Sequence, residues 1–225
     1  MAKPLAVLFD VDGTLIDSNE LHVEAWHQAF ADSGFPVDRA QIAGLIGMGG
    51  DKLVPAVLPG LDPGDQQRLA DRHGTVFKGQ YLRQARPFPH AYDLVARAHE
   101  RGLKVVLASS SDEDEVDHYI DLLGIRDLLV TRTSNDEVGE SKPAPDIFAT
   151  ALAKAGMTGE RAIAVGDSPY DAEGAARSGV RTIGLLSGGF SRERLEGAGV
   201  IALFDDVADL LARFDESPLN GDEPA

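Results

Sequence analysis

Two carboxylates, Asp10 and Asp12, close an apolar run and are followed at once by Gly13 and Thr14. Farther along, Ser109 ends a second apolar run, Lys142 stands ahead of Pro143, and Asp167 and Asp171 follow a third run in Gly166-Asp167-Ser168-Pro169-Tyr170-Asp171. Together these side chains form a set suited to phosphoryl transfer. Attack on a phosphomonoester needs a nucleophile, an acid for the departing oxygen and positive charge over the phosphoryl oxygens, because its catalysis is mostly positioning and electrostatic stabilisation. An aspartate can attack phosphorus to form an acyl phosphate, which splits one hard step into two easier ones. Asp10 is the candidate, since it ends the strand-like run Leu5-Ala6-Val7-Leu8-Phe9, and in an open α/β sheet the reactive crevice lies beyond the carboxyl ends of the strands. Asp12 reaches the same crevice, and Gly13 lets the backbone turn tightly and approach an anion.

Each signal alone is weak. A DxDGT could be a turn with two solvated carboxylates, Ser109 a cap, Lys142 a surface lysine, and Asp167 the cap of a helix starting near Pro169. Their order, each after an apolar run or in a Lys-Pro context at spacings that suit successive βα units, is what points to one site.

The elements that must position these residues follow from periodicity. Apolar runs ending at Phe9, Ala108 and Val165, with later ones at 180–185 and 200–204, alternate with helical patterns at 90–101, 112–122, 145–155, 169–178 and 207–213. A short strand is expected near 128–131. Alternating βα units imply a Rossmann-like parallel sheet with right-handed crossovers and helices on both faces. Between the first and second strands the chain reads as helices only, near 18–30, 38–45, 51–58 and 65–82, and Arg86-Pro87-Phe88-Pro89 reads as a stiff return linker. The expected organisation is an α/β core of residues 1–17 and 86–213, a helical insert of residues 18–85, and a disordered tail of residues 214–225 rich in acids, proline and glycine.

These motifs resemble those of the haloacid dehalogenase superfamily of phosphotransferases, and the resemblance covers nearly the whole chain. It implies that Asp10 is the nucleophile and Asp12 the general acid and base. Ser109 would hydrogen-bond the transferring phosphoryl group and Lys142 neutralise its charge. Mg²⁺ would be held by Asp10, Asp167 and the Asp12 backbone carbonyl, with Asp171 orienting Lys142. The insertion point after Asp17 resembles the helical cap of phosphoglycolate phosphatases, sugar-phosphate phosphatases and β-phosphoglucomutase, which closes over the crevice and touches the leaving group. Gly47-Met48-Gly49-Gly50 resembles the cap loop that dips toward substrate, and His22 and Lys78 match substrate-side residues of β-phosphoglucomutase. Thr14 and Ser110 are further substrate candidates. The cap's apolar walls are expected to raise the pKa of Asp12.

The implied activity is a Mg²⁺-dependent phosphatase acting on a small phosphorylated metabolite, such as a sugar phosphate or phosphoglycolate, through an aspartyl phosphate. A β-phosphoglucomutase-like mutase is the alternative. It needs a cap cation for a second phosphate, and where the mutase carries an Arg this chain has Gly50, followed by Asp51 and Lys52. A receiver-like signalling domain or a non-catalytic phosphate-binding protein is the other class. Receivers carry their phosphorylated Asp on a middle strand and have no place for a helical insert.

Composition bounds the rest. A formal charge of −16, from 37 acidic and 21 basic residues, disfavours nucleic acid and anionic membrane as partners. The absence of cysteine excludes disulfides and thiolate chemistry. The N-terminal apolar run is too short for a signal-peptide core, and no stretch approaches the roughly twenty apolar residues of a membrane helix, so a cytoplasmic, monomeric protein is expected.

Overall fold

The computed structural model describes residues 3–221. Strand β1 (Ala6–Phe9) is followed by the short β2 (Ile16–Asp17) and by helices α1 (Asn19–Asp32), α2 (Arg39–Ala43), α3 (Gly50–Val57) and α4 (Pro63–Val76). The chain returns through β3 (Arg86–Pro87) and continues as α5 (Ala91–Glu100), β4 (Lys104–Ala108), α6 (Glu113–Leu123) and β5 (Leu129–Thr133). Then come α7 (Asp146–Ala155), β6 (Ala162–Gly166), α8 (Pro169–Arg177), β7 (Arg181–Leu185), α9 (Arg192–Gly197), β8 (Ala202–Phe204) and α10 (Val207–Ala212).

Six strands form one parallel sheet in the order β5-β4-β1-β6-β7-β8. Its central strands are buried on both faces, which is why they read as continuous apolar runs rather than alternating ones. Val7, Phe9, Val105, Leu107, Ile163 and Val165 pack one face against α5, α6 and α10. On the other, the small residues Ala6, Ala108, Ala162 and Ala164 admit Phe148 and Ile147 of α7 and Ala175 of α8. The chain leaves β1 for β4 and β5 on one side and returns to β6 on the other, so the sheet reverses direction beside β1. Such a reversal opens a crevice outside the strand ends.

The helices α1 to α4 bury their own apolar cluster, with Trp26, Phe30, Ile42, Leu53, Val54 and Leu69 at its centre. The chain into this region and the chain out of it pair with each other: Ile16 lies opposite Pro87 and Asp17 opposite Arg86 in an antiparallel ribbon. The stretch expected as a plain linker is therefore a two-stranded hinge, with prolines tolerated because its edges are free. Helix α4 ends in a π turn at Phe77–Tyr81.

One expectation is overturned. Residues 214–221 are not a disordered tail: they form two short 3₁₀ turns, Phe214–Glu216 and Pro218–Asn220, and bury Phe214 and Leu219 in the main core. Residues 222–225 lie outside the described residues. Acid-rich composition suggested disorder, but two apolar anchors five residues apart are enough to seat the segment against α5 and α10. Phe214→Ala should cost about 3 kcal/mol of stability, the usual penalty for an emptied aromatic site, read as a shift of the urea midpoint at constant slope. A loss under about 1 kcal/mol would mean the segment is not part of the folded core.

Candidate functional site

Register brings the chemistry together. Phe9 lies opposite Leu107 on one side and Val165 on the other, so Asp10, Ala108 and Gly166 leave the sheet at one level. Asp10, Asp167 and Asp171 offer carboxylate oxygens all within 4.8 Å of one another, and each residue is buried. Lys142 reaches them from the segment before α7. Its Nζ stands 2.5 Å from Asp10 Oδ1 and 2.7 Å from Asp171 Oδ1, and the side chain is 1% exposed.

Local sequence explains the position of Asp171. Ser168 caps α8, Pro169 opens it, and Asp171 Oδ2 accepts from the Ser168 backbone amide at 3.1 Å, a capping box that leaves Oδ1 for the lysine. Burial would strip the Lys142 ammonium of its proton, but Asp10 and Asp171 outweigh burial and hold its pKa above the ordinary lysine value. Asp10 is pushed well above the usual carboxylate range by burial and by Asp171, against the pull of Lys142. Asp167 rises to about 7 by burial and Asp171, although Asn19, Thr14 and Lys142 oppose the rise.

Asp12 sits differently. Its Oδ1 accepts from Ser18 Oγ at 2.6 Å and faces His22 Nε2 at 3.1 Å, while Oδ2 accepts from Ser111 Oγ at 2.7 Å. Burial would raise its carboxyl, yet His22, Ser18 and Ser111 together hold it down at about 2. The expectation that the cap would raise Asp12 is thus reversed: α1 presents an imidazole and a hydroxyl to this carboxylate, not an apolar wall. His22 is pulled down by burial but lifted further by Asp12, ending above its ordinary value. Its Nδ1 lies 3.3 Å from His73 Nε2. Burial and the His22 charge drive His73 well below its ordinary value, which makes His22 the donor and His73 the acceptor of this contact. Phe77 stacks on the His22 ring with centroids 3.8 Å apart and fixes its plane.

The helical region lies down on the sheet. Gly49 donates its amide to Ser141 Oγ at 3.0 Å, Asp51 takes the Ser141 amide and hydroxyl, and Tyr170 Oη donates to the Gly44 carbonyl at 2.7 Å. A Cβ at Gly47 would stand 2.7 Å from Ser168 Oγ, so this loop touches α8 as only glycine can. Beneath the loop lies a cleft of about 430 Å³ walled by Asp10, Asp12, His22, Gly47, Lys78 and Ser110, among others. Its size is ordinary for a small-molecule site.

Of the residues singled out in the sequence, Asp10, Asp12, His22, Gly47, Lys78 and Ser110 face this cleft, whereas Asp167, Asp171 and Lys142 lie behind Asp10. Lys78, carried by the π turn, pairs with Asp112 at 3.0 Å. Ser109 is wholly buried, and its Oγ accepts the Ser111 amide at 3.0 Å. Thr14 does not reach the cleft wall. It is wholly buried, with its hydroxyl 2.9 Å from Asp167 Oδ1 and 3.2 Å from Asp10 Oδ2, where it orients the carboxylates.

Sequence reasoning missed Ser18, Asn19, His73, Ser111 and Glu115. Ser18 and Asn19 carry only the signal of a helix start, and Ser111 only its place in a serine run. His73 and Glu115 show nothing beyond helical positions.

The carboxylate cluster fits a hard divalent cation. Three acids against one ammonium leave the buried cluster short of positive charge whenever all three ionise, and an all-oxygen donor set suits magnesium, calcium or manganese. The space around Asp167 is cleared for it: a Cβ at Gly188 would fall 1.8 Å, and one at Gly13 2.2 Å, from Asp167 Oδ2. Gly13 also has φ of +75°, which a side chain would strain. Asn19 donates Nδ2 to Asp167 at 2.9 Å while its buried Oδ1 has no partner among the described residues, an acceptor left open beside the cluster.

Comparison with known proteins agrees with this geometry. The haloacid dehalogenase-like hydrolase family matches residues 4–179. A phosphoglycolate phosphatase of Rhodospirillum rubrum is 30% identical over 92% of this chain and 89% of its own. Protein CbbY of Cereibacter sphaeroides is 31% identical over 91% and 93% of the two chains. The crystal structure of a hydrolase from Pseudomonas syringae superposes with a TM-score of 0.87 at 29% identity, over 94% of this chain and 98% of that one. The chain therefore belongs to the haloacid dehalogenase-like hydrolase family and is an enzyme of its phosphatase kind.

Proposed function

We propose that the protein hydrolyses a small phosphomonoester through an aspartyl phosphate on Asp10, with Mg²⁺ held by Asp10, Asp167 and the Asp12 backbone carbonyl. The observation that carries this reading is the pairing of one carboxylate backed by a lysine, Asp10, with another held by a histidine, Asp12, on the wall of one cleft. The cation, when bound, neutralises phosphoryl oxygens and keeps Asp10 ionised.

Asp10 attacks phosphorus as the bond to the leaving oxygen breaks, and Lys142 balances the charge that collects on the phosphoryl group. Both oxygens of Asp12 are engaged and it is held as a carboxylate, so the proton for the leaving oxygen comes from His22, 3.1 Å from Asp12 Oδ1, and passes through Asp12 to that oxygen. His22 holds the proton store beside it, and His73 keeps the His22 ring in place. A water then attacks the aspartyl phosphate, gives its proton back to Asp12, and phosphate leaves with Asp10 restored. Ser109, at the strand end, sets the turn that presents the neighbouring serines.

A mutase needs a second phosphate grip in the cap. Position 50 has no room for one, since a Cβ there would meet Ala70 Cβ at 2.8 Å and the Trp26 ring at 3.2 Å, and Lys78 is already paired with Asp112. These contacts favour the phosphatase.

Release of phosphate from p-nitrophenyl phosphate should need a divalent cation and fall at least about a thousandfold in Asp10→Asn, the scale of losing a nucleophile. Activity that survives in Asp10→Asn would sink the aspartyl-phosphate route. Added Mg²⁺ should raise the melting temperature of the native protein and leave that of Asp167→Asn unmoved, a readout of the ion that does not depend on turnover. His22→Asn should lower kcat by about ten- to a hundredfold with KM little changed, since it acts on the acid rather than on ground-state binding. An unchanged kcat would remove His22 from the proton path.

A further inference from the structure

The wall of the cleft that faces the alcohol half of a substrate is acidic. Asp51, Asp71, Asp112 and Glu115 line it, against one lysine, Lys78. Most of these charges are already satisfied. Asp51 is taken by Ser141 and by Lys52 at 3.6 Å, Asp71 accepts from Gln67 Nε2 at 2.8 Å, and Asp112 is paired with Lys78. His22 faces Asp12 at 3.1 Å, and burial with the His22 charge holds the His73 pKa well below its ordinary value.

Glu115 is different. It lies in the first turn of α6, is 3% exposed and lines the cleft, and its carboxylate has no hydrogen bond or ion pair among the described residues. Burial, with Asp12 and Asp112 nearby, lifts it to about 7, against the pull of His22 and Lys78. Its oxygens are not among the sealed, unpartnered polar atoms of the described residues, so they open on the cleft, where a donor from a ligand can complete them.

We propose that Glu115 is a specificity residue that receives a positively charged amine on the alcohol half of the substrate, so that the preferred esters are phosphorylated amino alcohols or amino sugars. An ammonium offers three donors and one charge to a carboxylate that lacks both. A second anionic group, a carboxylate or another phosphate, would meet Glu115 and the neighbouring acids, with no lysine or arginine on the cleft lining among the described residues besides the paired Lys78. The acidic wall thus separates this chain's substrate from phosphoglycolate, the compound for which one of its relatives is named.

The inference rests on the phosphatase reading and is tested beside it. Matched esters are compared by kcat/KM: 2-aminoethyl, 2-hydroxyethyl and carboxymethyl phosphate in one series, glucosamine 6-phosphate and glucose 6-phosphate in another, with p-nitrophenyl phosphate as the reference. In at least one series the amine should exceed its neutral counterpart by about tenfold or more, carboxymethyl phosphate should be the poorest of its series, and in Glu115→Gln the amine-to-neutral ratio, taken within that variant, should fall to within about twofold. Turnover of p-nitrophenyl phosphate without an amine preference, or a preference intact in Glu115→Gln, overturns the inference and leaves the phosphatase standing. No release from any ester overturns the phosphatase reading and the inference with it.

Discussion

Everything at the strand ends depends on one electrostatic constraint, the confinement of Asp10, Asp167 and Asp171 to one buried cluster. Like charges this close in a medium of low dielectric cannot all ionise unaided, and the upward displacement of Asp10 and Asp167 expresses that repulsion. Lys142 supplies one positive charge, and its own burial is tolerable only because two carboxylates flank it. The ring of Phe148 lies under its Nζ at 5.3 Å and adds a face that favours a cation. The remaining imbalance suits the cluster to a divalent ion.

The scaffold answers this constraint with small residues and caps. Glycines 13 and 188 withdraw side chains from Asp167, Thr14 and Asn19 aim hydrogen bonds at it, and the capping box of α8 holds Asp171 still. A parallel sheet is well suited to the task, because its strand ends stand level and each loop can contribute one group.

The helical region is part of the chemistry as well as a cover. Through Ser18 and His22 it sets the protonation of Asp12, so a carboxylate on the core receives its character from α1. Cap position and acid strength are therefore linked: a movement that carried α1 away would strip Asp12 of its imidazole. Glu115 of the core faces the same cleft, its carboxylate without a hydrogen-bond partner among the described residues.

The sequence by itself determined the sheet, the helical insertion and the cluster of Asp10, Asp167, Asp171 and Lys142. The apolar runs alternating with helical patterns marked the central parallel strands, Asp10 and Asp167 stand directly after two of them, and Lys142 and Asp171 were legible only through the family resemblance. It misjudged residues 214–221, where composition argued for disorder and two buried side chains, Phe214 and Leu219, decided otherwise. It gave no sign of the ribbon joining Ile16 to Pro87, because pairing of two-residue strands depends on where the chain ends meet. Only the tertiary structure decided that Asp12 is a strong acid rather than a weak one, and that His73 and Glu115 belong to the cleft. Acid strength is a sum over neighbours brought in from distant parts of the chain, and no local pattern of residues records which neighbours those are.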